Sequence, residues 1–113
     1  FIQEKGCESL RYLATDEESQ LAIASAGGID AVIKAMGAHP SAGDVQGYCC
    51  GTLAHLAASK GNRGKILEEQ GPEKVLAAMQ GHPKSDFVQF KGCAALANMA
   101  HTPDEQLVLA NLN

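Results

Sequence analysis

The chain has 113 residues, 45% of them hydrophobic but only 4% aromatic, with no Trp and a net charge of −4. That length suits one domain, whose core must come from Ala, Leu, Val, Ile, Met and Cys. No basic stripe of the kind that tracks phosphates is present, so the charge balance argues against nucleic acid, and no apolar run of about 18 residues exists to span a membrane.

The start, Phe1-Ile2-Gln3-Glu4-Lys5, is polar and lacks a signal-peptide core. Across 1–15, Ile2, Gly6, Cys7, Leu10, Leu13 and Ala14 are apolar or small at the spacing of one helix face. Residues 16–26 predict a short helix. Asp16, Glu17 and Glu18 favour the positive end of its dipole, and Leu21, Ile23 and Ala24 are expected to be buried. Gly27-Gly28 permits a sharp corner. A helix over 29–37 follows, with Ile29, Val32, Ile33 and Met36 inward. It ends at His39-Pro40, because proline disfavours helix in the residue before it.

Residues 44–59 predict a long helix, apolar at 45, 49, 50, 53, 56 and 57. Asp44 is its expected N-cap, and 44, 48, 51 and 55 form its solvent stripe. Residues 60–83 repeat the pair of short helices around Gly71-Pro72, with Ile66, Leu67, Val75, Leu76 and Met79 inward. Residues 87–101 repeat the long helix behind Asp86. Asp104 to Asn113 reads as the beginning of another copy, Gln106, Leu107 and Leu109 aligning with Gln20, Leu21 and Ile23. No strand pattern interrupts this order.

The copies recur every 43 residues: Gln3, Gln46 and Gln89; Cys7, Cys50 and Cys93; Leu10, Leu53 and Leu96; Ala14, Ala57 and Ala100. Residues 2–40 and 45–83 align without a gap, and 12 of those 39 positions are identical. Such a match means tandem repeats, and tandem repeats of helices mean a solenoid. The chain is expected to be one all-α domain over 1–113, built from repeats at 1–43 and 44–86 and a partial repeat at 87–113. It opens in mid-repeat and reads as a piece of a longer array. About three repeats are normally needed to bury the faces of such a unit, so the piece is expected to associate with itself through uncapped ends or to belong to that array.

Cys7, Cys50 and Cys93 read as small core hydrophobes. Neighbouring packed helices sit roughly 10 Å apart, too far for a disulfide or a shared metal, and reduced cysteines point to an intracellular compartment, cytoplasmic or nuclear. His39 and His82 read as loop geometry. No catalytic constellation or nucleotide fingerprint is present. Gly61-Asn62-Arg63-Gly64-Lys65 has phosphate-loop composition, but no strand precedes it, so helix capping is the simpler account. Neither an enzyme activity, a cofactor, a metal nor a small-molecule substrate is expected.

A period of 43 falls within the range of about 40–47 residues shared by HEAT and armadillo arrays. Three helices per unit with glycine at the first corner resembles armadillo. Gln20-Leu-Ala-Ile-Ala-Ser-Ala-Gly-Gly-Ile29 is similar to the corner of that family, and Val88-Gln-Phe-Lys-Gly-Cys-Ala-Ala-Leu-Ala-Asn-Met-Ala100 is similar to its third helix. The resemblance implies a right-handed superhelix of about two and a half repeats. Its third helices would line a concave groove that grips an extended peptide.

In importin-α-like members a Trp and an Asn one turn later form a ladder in that groove. The Trp position falls on Glu8, Gly51 and Ala94, so the aromatic half is missing. The Asn position falls on Tyr12, His55 and Asn98, of which Asn98 alone matches. One turn upstream stand Lys5, Tyr48 and Lys91. The expected groove is therefore Lys5, Glu8, Tyr12, Tyr48, His55, Lys91 and Asn98, with mixed charge. A protein or peptide partner is the expected ligand. The competing readings are an architectural spacer within a larger assembly and, against the charge balance, a nucleic-acid binder.

Overall fold

The structure is a computed structural model and describes residues 17–100. Among the described residues there are six helices and no strand: α1 (Glu17–Ser25), α2 (Gly28–Ala38), α3 (Gly43–Ala57), α4 (Lys60–Glu68), α5 (Gly71–Gly81) and α6 (Asp86–Met99). The helix predicted over 1–15 and the copy beginning at Asp104 lie outside the described residues, as do Gln3 and Cys7. Each of the first three helices packs on its counterpart one period later, α1 on α4, α2 on α5 and α3 on α6, and the last of these contacts is the most extensive.

The period in the letters is also a period in backbone conformation. Between α1 and α2, Gly27 adopts φ +89°, and Gln70, one period on, adopts φ +65° between α4 and α5. Glycine reaches this left-handed region freely, whereas an L side chain strains there. The next residue must be small for a different reason. A Cβ on Gly28 would lie 2.7 Å from the carbonyl oxygen of Ile23, and one on Gly71 would lie 2.9 Å from that of Ile66. Both corners therefore fold the second helix tightly back on the isoleucine of the first.

The second corner repeats as closely. His39 caps the C-terminus of α2 at φ −130°, ψ 55°, and His82 caps α5 at φ −133°, ψ 58°. Pro40 and Pro83 follow, and neither can continue a helix. A glutamine then locks each corner. The Gln46 Nε2 donates to the carbonyls of Met36 (3.0 Å) and His39 (2.8 Å), and the Gln89 Nε2 donates to those of Met79 (2.8 Å) and His82 (3.1 Å). These carbonyls belong to the last turn and cap of a helix, where no intrahelical donor reaches.

Ile29, Val32, Met36, Val45, Leu53, Leu56, Ile66, Val75, Val88 and Met99 are buried in one continuous core with Cys49 and Cys50. α3 runs through its middle: of its fifteen residues, eleven are buried. Polar groups on α4 close the C-terminal end of α3. The buried Asn62 donates from Nδ2 to the carbonyls of Leu56 (3.0 Å) and Gln20 (3.1 Å), and the buried Arg63 donates from Nη1 to that of Ala57 (3.1 Å). Across the repeat boundary, the His82 Nε2 donates to the Pro40 carbonyl at 2.9 Å.

Several expectations require correction. Leu21 is 40% exposed, so α1 buries less of its apolar face than its pattern implies. Asp44 does not cap α3. The cap is Ala42, which offers no side-chain acceptor, and Asp44 sits in the first turn. Nor does Asp86 cap α6. Ser85 does so, its Oγ accepting from the Val88 N–H at 3.2 Å. Cys49 and Cys50 are buried but Cys93 is exposed. It lies on α6, the last of the described helices, where no described helix stacks as α6 stacks on α3.

Candidate functional site

The groove positions within the described residues lie on α3 and α6, the two long helices that pack side by side. On α3, Tyr48 and His55 are half-buried and Gly51 between them is buried. The stripe expected to face solvent is thus partly covered, and only Asp44 at its start is exposed. On α6, Lys91, Ala94 and Asn98 are half-buried. Lys5, Glu8 and Tyr12 lie outside the described residues.

The helix period explains how these side chains come to share a face. Positions four and seven apart on one helix project in nearly the same direction, and parallel packing of α3 on α6 sets the two stripes next to each other. At one end of the shared face the Tyr48 ring meets the Phe87 ring edge-on, with centroids 5.1 Å apart and planes at 74°. This is the arrangement the ring quadrupoles favour. Gly47 makes it possible. A Cβ there would run into the Phe87 ring edge, so the ring rests where the glycine leaves room.

At the other end the Asn98 Nδ2 donates to the Ala54 carbonyl at 2.7 Å. Asn98 therefore ties the two long helices together, and part of its hydrogen-bonding capacity is used inside the protein. Lys91 carries the positive charge of the face, and its Nζ lies 5.4 Å from the centroid of the exposed Phe90 ring, within cation–π range.

Phe87 is the member of this face that the repeat pattern did not single out. Its counterpart one period earlier is Asp44, so periodicity gives no hint of it. The available signal was composition. With two Tyr and three Phe in the chain, any pair of rings on consecutive long helices is a candidate contact.

The arrangement offers two half-buried aromatic rings at a steep angle, one cation, an imidazole and an amide. Burial pushes the Cys50 thiol up to about 12, which keeps it protonated and chemically inert at neutral pH. In the glycine-rich stretch 61–65, the Asn62 Nδ2 and the Arg63 Nη1 donate to main-chain carbonyls. Among the described residues no group of three or more His, Cys, Asp or Glu could hold a metal ion. No described helix is long and apolar enough to cross a membrane. A cavity of about 200 Å³ opens between α2 and α5, lined by Met36, Pro40, Lys74 and Ala78 among others.

Comparison with known proteins gives no match: no protein-family model, no curated protein and no solved structure corresponds to this chain.

Proposed function

We propose that this chain is a segment of an armadillo-type α-solenoid that binds an extended peptide or partner protein along a concave groove lined by its third helices, α3 and α6. The observation that carries the reading is the recurrence of contacts at the period of the letters. Equivalent glutamines lock equivalent corners, equivalent residues take the left-handed turn, and each helix rests on its own counterpart. Stacked helical repeats of this kind expose a continuous face to which every unit contributes the same positions. An extended peptide brings unpaired backbone groups, which regularly spaced polar side chains satisfy. On this reading Tyr48 and Phe87 supply an aromatic platform, Lys91 draws an acidic or carbonyl-rich stretch of the ligand, and His55 and Asn98 bond its backbone. The work is done inside the cell and involves no chemistry on the ligand.

A second reading, that of a spacer within a larger assembly, draws on the internal use of groove groups: Gly51 is buried, Tyr48 leans on Phe87, and Asn98 bonds Ala54. A displayed library of random peptides panned against the 113-residue chain separates the two. Groove binding predicts selected peptides whose affinity falls about tenfold or more in a His55→Ala/Lys91→Glu variant of unchanged helicity. Failure to select any peptide, or peptides indifferent to that variant, would favour the spacer.

A further inference from the structure

We propose that the cavity between α2 and α5 binds a small apolar carboxylic acid, its hydrocarbon body against Met36 and Ala78 and its carboxylate held by Lys74. The cavity, of about 200 Å³, straddles the boundary between two repeats. Met36, Gly37 and Pro40 wall it on one side, and Lys74, Ala77 and Ala78 on the other. Met36 and Ala78 are buried, and Lys74 is half-buried. None of the proposed groove positions lines it, so this site and the peptide-binding reading can fail separately.

The repeat itself does not call for this opening. One period after Gly37 stands Gln80, and one period before Ala77 stands Lys34. Both walls thus lack the long side chain that the equivalent position carries in the other copy. Neither backbone nor packing demands the glycine. Gly37 lies within α2 outside the left-handed region, and a Cβ on it would meet no atom within 4 Å. Glycine there weakens the helix and leaves only space. A third departure adds charge, since Lys74 stands where Ala31 stands one period earlier. Two truncations and one cation therefore meet at the same cavity.

The ligand's chemistry follows from that lining. An apolar cavity of about 150 Å³ holds a benzene-sized molecule, so this one has room for a single ring, or a branched chain of similar size, with a short polar appendage. Walls of Met, Pro and Ala offer a sugar no side-chain hydrogen bonds. Gln46 also borders the cavity, but its Nε2 is engaged by the Met36 and His39 carbonyls. Lys74 is left as the side-chain donor, and none of the described residues forms an ion pair with it. One cation balances one carboxylate, whereas a phosphate group carries up to about two charges and calls for more donors.

Titration of the isotope-labelled 113-residue chain with phenylacetate, followed by amide chemical shifts, tests the site. The expected result is a saturable shift centred on Gly37, Ala77 and Ala78, with a dissociation constant on the order of 1 mM. Gly37→Leu/Ala77→Leu should abolish it by filling the cavity. Both positions are exposed and leucine is a good helix former, so that variant keeps its helicity. Lys74→Gln should weaken phenylacetate about threefold or more and leave benzyl alcohol, which lacks the charge, unaffected. No saturable shift below about 20 mM, or shifts that centre elsewhere or persist in the leucine variant, would overturn the site. Equal binding of phenylacetate by the parent and Lys74→Gln would overturn the role of the carboxylate, and the proposal with it.

Discussion

The Gln46 carboxamide reaches back ten residues to the Met36 carbonyl, at 3.0 Å, and with the same nitrogen serves His39 at 2.8 Å. One side chain on the long helix therefore satisfies two carbonyls at the end of the helix before it, and Gln89 repeats the arrangement on Met79 and His82. Gln46 is 3% exposed, so water cannot replace it readily. Gln46→Leu conserves volume while removing the donor, and should destabilise the chain by about 1–3 kcal/mol, the cost of stranding buried acceptors. Gln89→Leu, at a half-buried site, should cost less. Urea denaturation of the two variants checks both, and a loss below about 0.5 kcal/mol for Gln46→Leu would show the corner to be held by packing alone.

The paired left-handed residues predict opposite effects of opposite substitutions. Gln70 strains at φ +65° where Gly27 relaxes at φ +89°. Gln70→Gly should stabilise the protein by up to about 1 kcal/mol, since the relief of a left-handed L residue outweighs the added freedom of the unfolded chain. Gly27→Ala should destabilise it by about 1 kcal/mol. No atom lies within 4 Å of a Cβ built at Gly27, so that loss is purely conformational. Thermal melts suffice to read both signs, and equal signs would refute the account.

These two corners show what the sequence can and cannot reveal. The spacing of Gln46 and Gln89 is visible in the letters. Their targets are main-chain carbonyls, which carry no letter, and so the role emerges only in three dimensions. Gln70 breaks the pattern set by Gly27, yet the backbone keeps it, because the tight seat of Gly71 on Ile66 dictates the turn that precedes it. Cys50 and Cys93 share a letter and differ in burial, since burial on a stacked helix depends on a neighbour that its own sequence does not name. Asp44 and Asp86 resemble caps, but each helix begins a residue or two earlier than its apolar pattern, at Ala42 in one repeat and Ser85 in the other. Helix order, corner positions and most of the core were legible, because period and glycine placement are local properties. The Tyr48–Phe87 contact was not, because it depends on how two helices meet.

That contact supports a double-mutant cycle. Gly47→Ala drives a methyl into the Phe87 ring, which must shift and lose its edge contact with Tyr48. Overpacking of this kind costs about 1–3 kcal/mol. In a Phe87→Ala background the methyl meets an empty space, and the same substitution should cost only a few tenths of a kcal/mol. Denaturant midpoints of the four proteins give the coupling energy. Additive losses would mean that the glycine serves the helix backbone and not the ring.

The buried Cys50 thiol makes stability depend on alkaline pH. Burial raises it from 9.0 to about 12 in the folded chain, so above pH 9 the unfolded chain sheds a proton that the folded chain retains. Between those values the folded state binds more protons, and stability must fall as pH rises. The contribution is complete below pH 9 and declines by about 1.4 kcal/mol per pH unit above it, until the folded thiol itself ionises near pH 12. The informative quantity is a difference in slope between two proteins that differ only at Cys50. Cys50→Ala should be less stable than the parent at pH 8 because it opens a small void. It should then lose less stability than the parent between pH 9 and pH 10.5. Parallel melting curves for the two proteins across that interval would show that the Cys50 thiol reaches water in the native state, contrary to its zero exposure in the core.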